Sequence, residues 1–260
     1  MAMLSTGPVR LHYLQRGDPR RPRVVLVHGL ATNTAFWFPQ VFPGLARDHR
    51  VTAYDLRGHG RSAMPAAGYR IEDMAADLDA VVRHQGAGPV HLIGHSYGGA
   101  VALAYTVRCP DRVASLVVAD SRLATFQSND PLAAWLDADD DAEDGRPGPS
   151  ALMGPSGVSA RTADRWRTLL DTTGVRADVL SAAGPAVADL AAVRQPVLAV
   201  YGERSDFLPS CRALRRHVRA CRTVVVPRAG HFHPYARPEV FLGAVREFLA
   251  GSAVAKERAS

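Results

Sequence analysis

The segment Gly94-His95-Ser96-Tyr97-Gly98 constrains the fold more than any other stretch of the chain. The apolar run before it, Pro89-Val90-His91-Leu92-Ile93, reads as a short strand. The run after it, from Gly99 to Arg108, is rich in Ala and Val and reads as a helix. A strand that turns sharply into a helix at a serine holds that serine in a strained backbone conformation. Glycines on both sides let the strand and helix backbones come close. The Ser96 hydroxyl then stands in the open at the positive end of a helix, where a serine is placed to attack a carbonyl.

The rest of the chain alternates strand and helix. Apolar runs at Leu11–Leu14, Val24–Val27, Val51–Tyr54, Val90–Ile93, Ser115–Ala119, Val197–Tyr201 and Thr223–Val226 are strand candidates. Helical stretches lie near Ile71–Gln85, Gly99–Arg108, Cys211–Ala220 and Pro238–Ala250. This alternation predicts a mostly parallel sheet covered on both faces, the α/β class. Residues 122–191 break the rhythm. They hold an acidic run, Asp137 to Asp144, then a Gly/Pro-rich segment, flanked by helical pieces, with no strand pattern. The expected organisation is a core of 1–121 and 192–260 with 122–191 inserted as a cap over the site.

Composition narrows the function classes. A chain of 260 residues that is 47% hydrophobic has enough apolar material for a sizeable core. No apolar run approaches the roughly 20 residues that span a bilayer. The N-terminus shows no basic segment followed by an apolar one, so a cytoplasmic location is expected. The net charge is +6, but the basic residues are scattered and Lys256 is the single lysine. Arg212, Arg215, Arg216 and Arg219 have the spacing of a solvated helix face, so no nucleic acid or membrane partner is expected. Cys109, Cys211 and Cys221 lack metal-ligand spacing and read as free thiols. The acidic run has no histidine nearby and reads as a solvated loop. Neither metal nor cofactor is expected, and the partner is a small acyl substrate. Oligomeric state is left open.

Three residues just past strand ends suit a nucleophile, a base and an acid. Ser96 is the candidate nucleophile. His231, in Arg228-Ala229-Gly230-His231, is the candidate general base, with His233 as its competitor and as a candidate pocket residue. Asp206 is the candidate acid orienting His231, and Asp120, at the end of another strand, is the alternative. Two fixed N–H donors are needed for a developing oxyanion: the amide of Tyr97 at the helix start and that of Leu30 after His28-Gly29. Phe36, Trp37 and Phe38 either wall the acyl pocket or anchor the first helix on the sheet. Trp135, Met153 and Trp166 in the insertion suggest apolar substrate contact.

Four blocks carry a resemblance to a known family: His28-Gly29-Leu30, Asp55-Leu56-Arg57-Gly58-His59-Gly60-Arg61-Ser62, Gly94-His95-Ser96-Tyr97-Gly98-Gly99, and Gly230-His231. The chain resembles the α/β-hydrolase superfamily, in particular its capped single-domain members. The resemblance implies an eight-stranded-type, mostly parallel sheet with helices on both faces and a small helical cap. It also implies a triad in the order Ser96, Asp206, His231, and a purely structural Asp55–Ser62 loop. One departure stands out: the position that often holds the family's acid is Ser205 here, which keeps Asp120 in contention. A serine at the elbow, in place of the aspartate of epoxide- and halide-processing relatives, implies hydrolysis of an ester or related acyl bond. Thioester or acyl transfer, carbon–carbon bond cleavage and a small-molecule sensor on the same scaffold are the alternatives.

Overall fold

The computed structural model describes residues 2–7, 9–123, 136, 160–181 and 184–257. Eight strands form one sheet in the order β1-β2-β4-β3-β5-β6-β7-β8. They are β1 Ala2–Ser5, β2 Arg10–Arg16, β3 Arg23–Val27, β4 Arg50–Tyr54, β5 Val90–His95, β6 Val113–Ala119, β7 Val197–Gly202 and β8 Cys221–Val226. Strands β3 to β8 run parallel, while β1 and β2 form an antiparallel edge against β4. Every strand run expected from sequence lies within one of these strands. Only β1 escapes that pattern, because its four residues are mostly exposed and alternate nothing.

The central strands are apolar along their whole length because both faces are covered. Val24, Val25, Leu26 and Val27 of β3 are all buried, as are residues Leu116 to Ala119 of β6. Helices α2 (Ile71–His84) and α3 (Tyr97–Arg108) pack on one face and contribute to one apolar cluster. Helices α1 (Val41–Leu45) and α8 (Pro238–Glu257) cover the other face, where Phe42, Leu45, Phe241 and Val245 join a second cluster. Helix α2 shows the logic: Ile71, Met74, Ala75, Leu78, Val81 and Val82 form its buried stripe. Glu72 and Asp73 lie in its first turn, and Arg83 and His84 lie in its last, so charge opposes the helix dipole at both ends.

After β6 the described chain also holds α4 (Ala160–Thr172), α5 (Val175–Ser181), α6 (Leu208–His217) and the one-turn α7 (His233–Ala236). Helices α4 and α5 lie between β6 and β7, within residues 122–191. Trp166 and Leu169 of α4 are buried in the first apolar cluster, and Asp178 of α5 accepts hydrogen bonds from the Gly68 and Tyr69 amides.

Strand order places the site. The chain passes from β3 to β4 on one side, then returns to lay β5 on the other side of β3. Loops leaving β3 and β5 therefore diverge and open a crevice at the carboxyl ends of these two strands. Ser96 follows β5, and Gly29 follows β3.

Candidate active site

Ser96 has φ 55° and ψ −125°, a backbone conformation that side-chain-bearing residues rarely adopt. The crowding around it explains its glycines. A Cβ on Gly98 would sit 2.3 Å from the His28 carbonyl oxygen, and a Cβ on Gly94 would sit 2.4 Å from that of Gly98. Both neighbours are backbone, so neither can move aside. Ser96 thus begins α3 and projects from the top of β5, as the strand–turn–helix pattern predicted.

His231 reaches the elbow from the loop after β8. Its Nε2 lies 3.0 Å from Ser96 Oγ, and its Nδ1 lies 2.9 Å from Asp120 Oδ1. With Nδ1–H donating to the carboxylate, Nε2 presents its lone pair to the serine hydroxyl. The acid facing His231 is therefore Asp120, the first residue after β6, and not Asp206. Asp206 is exposed, whereas Asp120 is fully buried. The register of the sheet causes this. β6 and β7 pair Ala119 with Val200, so the chain leaving β6 delivers Asp120 beside the end of β7. There the Gly202 amide donates to Oδ2 at 2.8 Å, and the Ser205 hydroxyl donates to Oδ1. Ser205 thus turns inward to the carboxylate while its neighbour Asp206 points to water. Asp120 itself has φ 47°, a second strained residue at this site.

Sequence reasoning missed the residues that steady His231. The His95 ring is fully buried, and its Nε2–H donates to the His231 carbonyl at 2.9 Å. The His231 ring also packs against His95, Phe232 and Phe207, with centroids 4.7, 4.9 and 5.1 Å away. A signal existed for His95, which is the variable residue within the G-x-S-x-G motif. None existed for Phe207.

Other expected site residues fall elsewhere. Phe36 is buried, stacked on His95 with centroids 4.6 Å apart. Trp37 is completely buried against Phe241 in the second apolar cluster. Both anchor the first helical turn on the sheet, and neither lines the cavity beside Trp166. His233 is no pocket residue either: it is wholly buried behind Asp120, with Nε2–H donating to the Val200 carbonyl at 3.1 Å. Trp166 does line a cavity, beside His59. Trp135 and Met153 lie outside the described residues. Leu30 is buried in the loop after β3, and Tyr97 is the first residue of α3, where helix amides have no partner within the helix. A Cβ on Gly29 would approach Ser96 Cβ to 2.9 Å, so the loop carrying Leu30 abuts the serine.

The Asp55–Ser62 block is a braced loop. Asp55 accepts from the amides of Thr34 at 2.7 Å and Arg61 at 2.9 Å, and from His12 Nδ1 at 2.8 Å. His28 is buried and neutral in its bonding: Nδ1–H donates to the Gly29 carbonyl at 2.7 Å, and Nε2 accepts from the Leu56 amide at 3.0 Å. Among the described residues, no group of three or more His, Cys, Asp or Glu side chains is arranged to hold a metal ion. No described helix is long and apolar enough to cross a membrane.

Burial sets a pH dependence. Desolvation pushes the His233 imidazole down to about 4 against a free value of 6.5, overcoming the opposite pull of the Asp120 carboxylate. His59 is pushed down to about 3, again chiefly by burial. Unfolding lets each ring take a proton near 6.5, so each contributes stability that is complete above pH 6.5 and is lost as pH falls toward the folded value. At roughly 1.4 kcal/mol per pH unit, His233 alone costs about 2 kcal/mol between pH 6.5 and pH 5. Urea unfolding at pH 7.5 and pH 5 should show that loss. A His233→Asn variant, which keeps an N–H donor for Val200, should show a pH dependence smaller by about that amount. An unchanged pH dependence in the variant would contradict the assignment.

Residues 22–154, just over half of the chain, match the family model for the alpha/beta hydrolase fold. The chain belongs to this family. A protein of Mesorhizobium japonicum, 2-(acetamidomethylene)succinate hydrolase, is 28% identical over 277 residues, covering 95% of this chain and 94% of that protein. RutD of Variovorax paradoxus, provisionally named a carbamate hydrolase, is 37% identical over 170 residues. That match covers 65% of this chain and 53% of the relative, so the aligned part spans about half of RutD's length. Among solved structures, a hydrolase from Pseudomonas aeruginosa superposes with a TM-score of 0.76 at 26% identity, over 95% of this chain and 97% of that one.

Proposed function

We propose that this α/β hydrolase is a serine hydrolase that cleaves a carboxylic ester or related acyl bond of a small, largely apolar substrate. The observation that carries this reading is the unbroken line from Ser96 Oγ to His231 Nε2, and from His231 Nδ1 to Asp120 Oδ1. His231 takes the Ser96 proton as the hydroxyl oxygen attacks the substrate carbonyl. The Leu30 and Tyr97 amides receive the oxyanion, each donor being worth about 3 kcal/mol in the transition state. His231 then protonates the leaving group, and a water activated by the same ring releases the acyl group. Asp120 keeps the imidazole in the required tautomer and stabilises its charged form. Relatives named for an acetamido compound and for a carbamate support a carbonyl bond as the target. In the same reading the 122–191 insertion caps the crevice.

Stopped-flow mixing with p-nitrophenyl esters of graded chain length tests this. An acyl-enzyme path gives a burst of p-nitrophenol approaching one equivalent of enzyme whenever deacylation is the slower step. Esters of one acyl group with different leaving groups should also partition a common acyl-enzyme: added methanol should compete with water and yield the methyl ester in a ratio independent of the leaving group. A ratio that varies with the leaving group would contradict a covalent intermediate.

A further inference from the structure

Tyr97 brings more to the elbow than its amide. Its phenol hydroxyl is buried and donates to the Tyr69 carbonyl at 2.8 Å. We propose that this tether makes the Tyr97 side chain a positioning residue for the oxyanion donor, and that Asp178 of α5 completes the device by fixing the Tyr69 segment from the other side. The inference rests on the Ser96 hydrolase reading and adds two residues that its triad and its amide donors do not include.

The start of α3 has little stiffness of its own. Gly98 and Gly99 follow Tyr97, and glycine is a poor helix former. A stiffer residue does not fit at 98, because a Cβ there would meet the His28 and Val27 carbonyl oxygens at 2.3 and 2.4 Å. Ser96, on the other side, is held in a strained conformation. The peptide joining Ser96 to Tyr97 thus lies between a strained residue and two permissive ones. The direction of its N–H decides how well it meets a developing oxyanion. A side chain packed in the first apolar cluster and hydrogen-bonded at its far end removes that freedom.

The acceptor is itself fixed. Asp178 Oδ2 accepts from the Gly68 amide at 3.0 Å and from the Tyr69 amide at 2.8 Å. The Gly68 carbonyl accepts from Arg57 Nη1 at 2.6 Å. The Gly174 amide, just before α5, donates to the Ala66 carbonyl at 2.8 Å. One line of hydrogen bonds therefore runs from α5 through the Tyr69 peptide to the first residue of α3. Burial, and after it the Glu72 and Asp178 carboxylates, push the Tyr97 phenol above the ordinary tyrosine range, so it stays protonated and serves as a donor.

Saturation kinetics of labelling by an alkyl fluorophosphonate test the proposal on the full chain. The phosphoryl oxygen gains charge in the same hole while Ser96 Oγ displaces fluoride. Tyr97→Phe should lower the maximal labelling rate about tenfold and leave the half-saturating concentration within about twofold. Asp178→Ala should lower the rate about fivefold, and Asp178→Asn less, because a carboxamide oxygen still accepts from the two amides. Members of one line do not add, so Asp178→Ala in the Tyr97→Phe background should cost under about twofold more. Asp178 is half-buried, so its variants keep the test decisive if Tyr97→Phe does not fold. A native rate in Tyr97→Phe or in Asp178→Ala, losses that multiply in the double variant, or a loss confined to the half-saturating concentration would each overturn the tether and leave the hydrolase reading standing. Ser96→Ala protein labelled as fast as the native chain would overturn that reading, and the tether with it.

Discussion

Asp120→Asn should lower kcat/KM on an activated ester by about 10³- to 10⁴-fold, while Asp206→Asn leaves it within about twofold. The asymmetry follows from hydrogen-bond polarity. A carboxylate accepts the proton of His231 Nδ1 and thereby keeps Nε2 bare for Ser96. An asparagine amide presents either a donor or a neutral acceptor there, so the imidazole is held in the wrong tautomer or loses stabilisation of its charge. Asp206 stands in water with no role in this line. The fold should survive Asp120→Asn in the sense that far-UV dichroism is retained, because Gly202 and Ser205 can still bond the new side chain. A second variant separates loss of charge from loss of packing. Ser205 Oγ already touches Asp120 Oδ1, so Ser205→Asp in the Asp120→Asn background places a carboxylate close to the imidazole. It should recover about tenfold of the lost rate. Equal losses in Asp120→Asn and Asp206→Asn would mean that the acid is not where the sheet register puts it.

Ser96→Ala should remove about six orders of magnitude from kcat, leaving only what the oxyanion donors and binding provide. Its thermal stability should stay within about 1 kcal/mol of the native chain, because alanine carries the same Cβ into the same strained backbone and loses one partly exposed hydroxyl. Combining it with Asp120→Asn should cost no more than Ser96→Ala alone. Residues that act as one relay are not additive, since the imidazole has no proton to collect once the hydroxyl is gone. A further large drop in the double variant would show Asp120 acting on a different nucleophile.

The elbow was fully legible in the chain because its signal is local. Strand, glycine, serine, glycine and helix follow one another within twenty residues, and the close contacts that Gly94 permits, with Gly98 and Gly99, lie inside that succession, whereas Gly98 makes room for the backbone of Val27 and His28. The parallel sheet was legible for a similar reason, since strands buried on both faces must be apolar throughout. His231 was readable as the histidine after the last strand. The acid was not. Asp120 and Asp206 each follow a strand, and nothing local says which carboxylate arrives beside the imidazole. That depends on how far β6 and β7 extend in their common register, and on Ser205 turning its short side chain inward. The absence of an aspartate at 205 was the available clue, and it favoured Asp120. Phe36 and Trp37 illustrate a different limit. Aromatic residues near a site and aromatic residues under it have the same sequence appearance, and here packing against His95 and Phe241 claimed both.

The most direct measurement is to treat the native chain with a fluorophosphonate and map the adduct by peptide mass spectrometry. One adduct is expected, on Ser96, formed rapidly in the native protein and far more slowly in His231→Ala and Asp120→Asn. An adduct on Ser121 or Ser205 instead, or ester turnover that persists after Ser96 is fully modified, would contradict it.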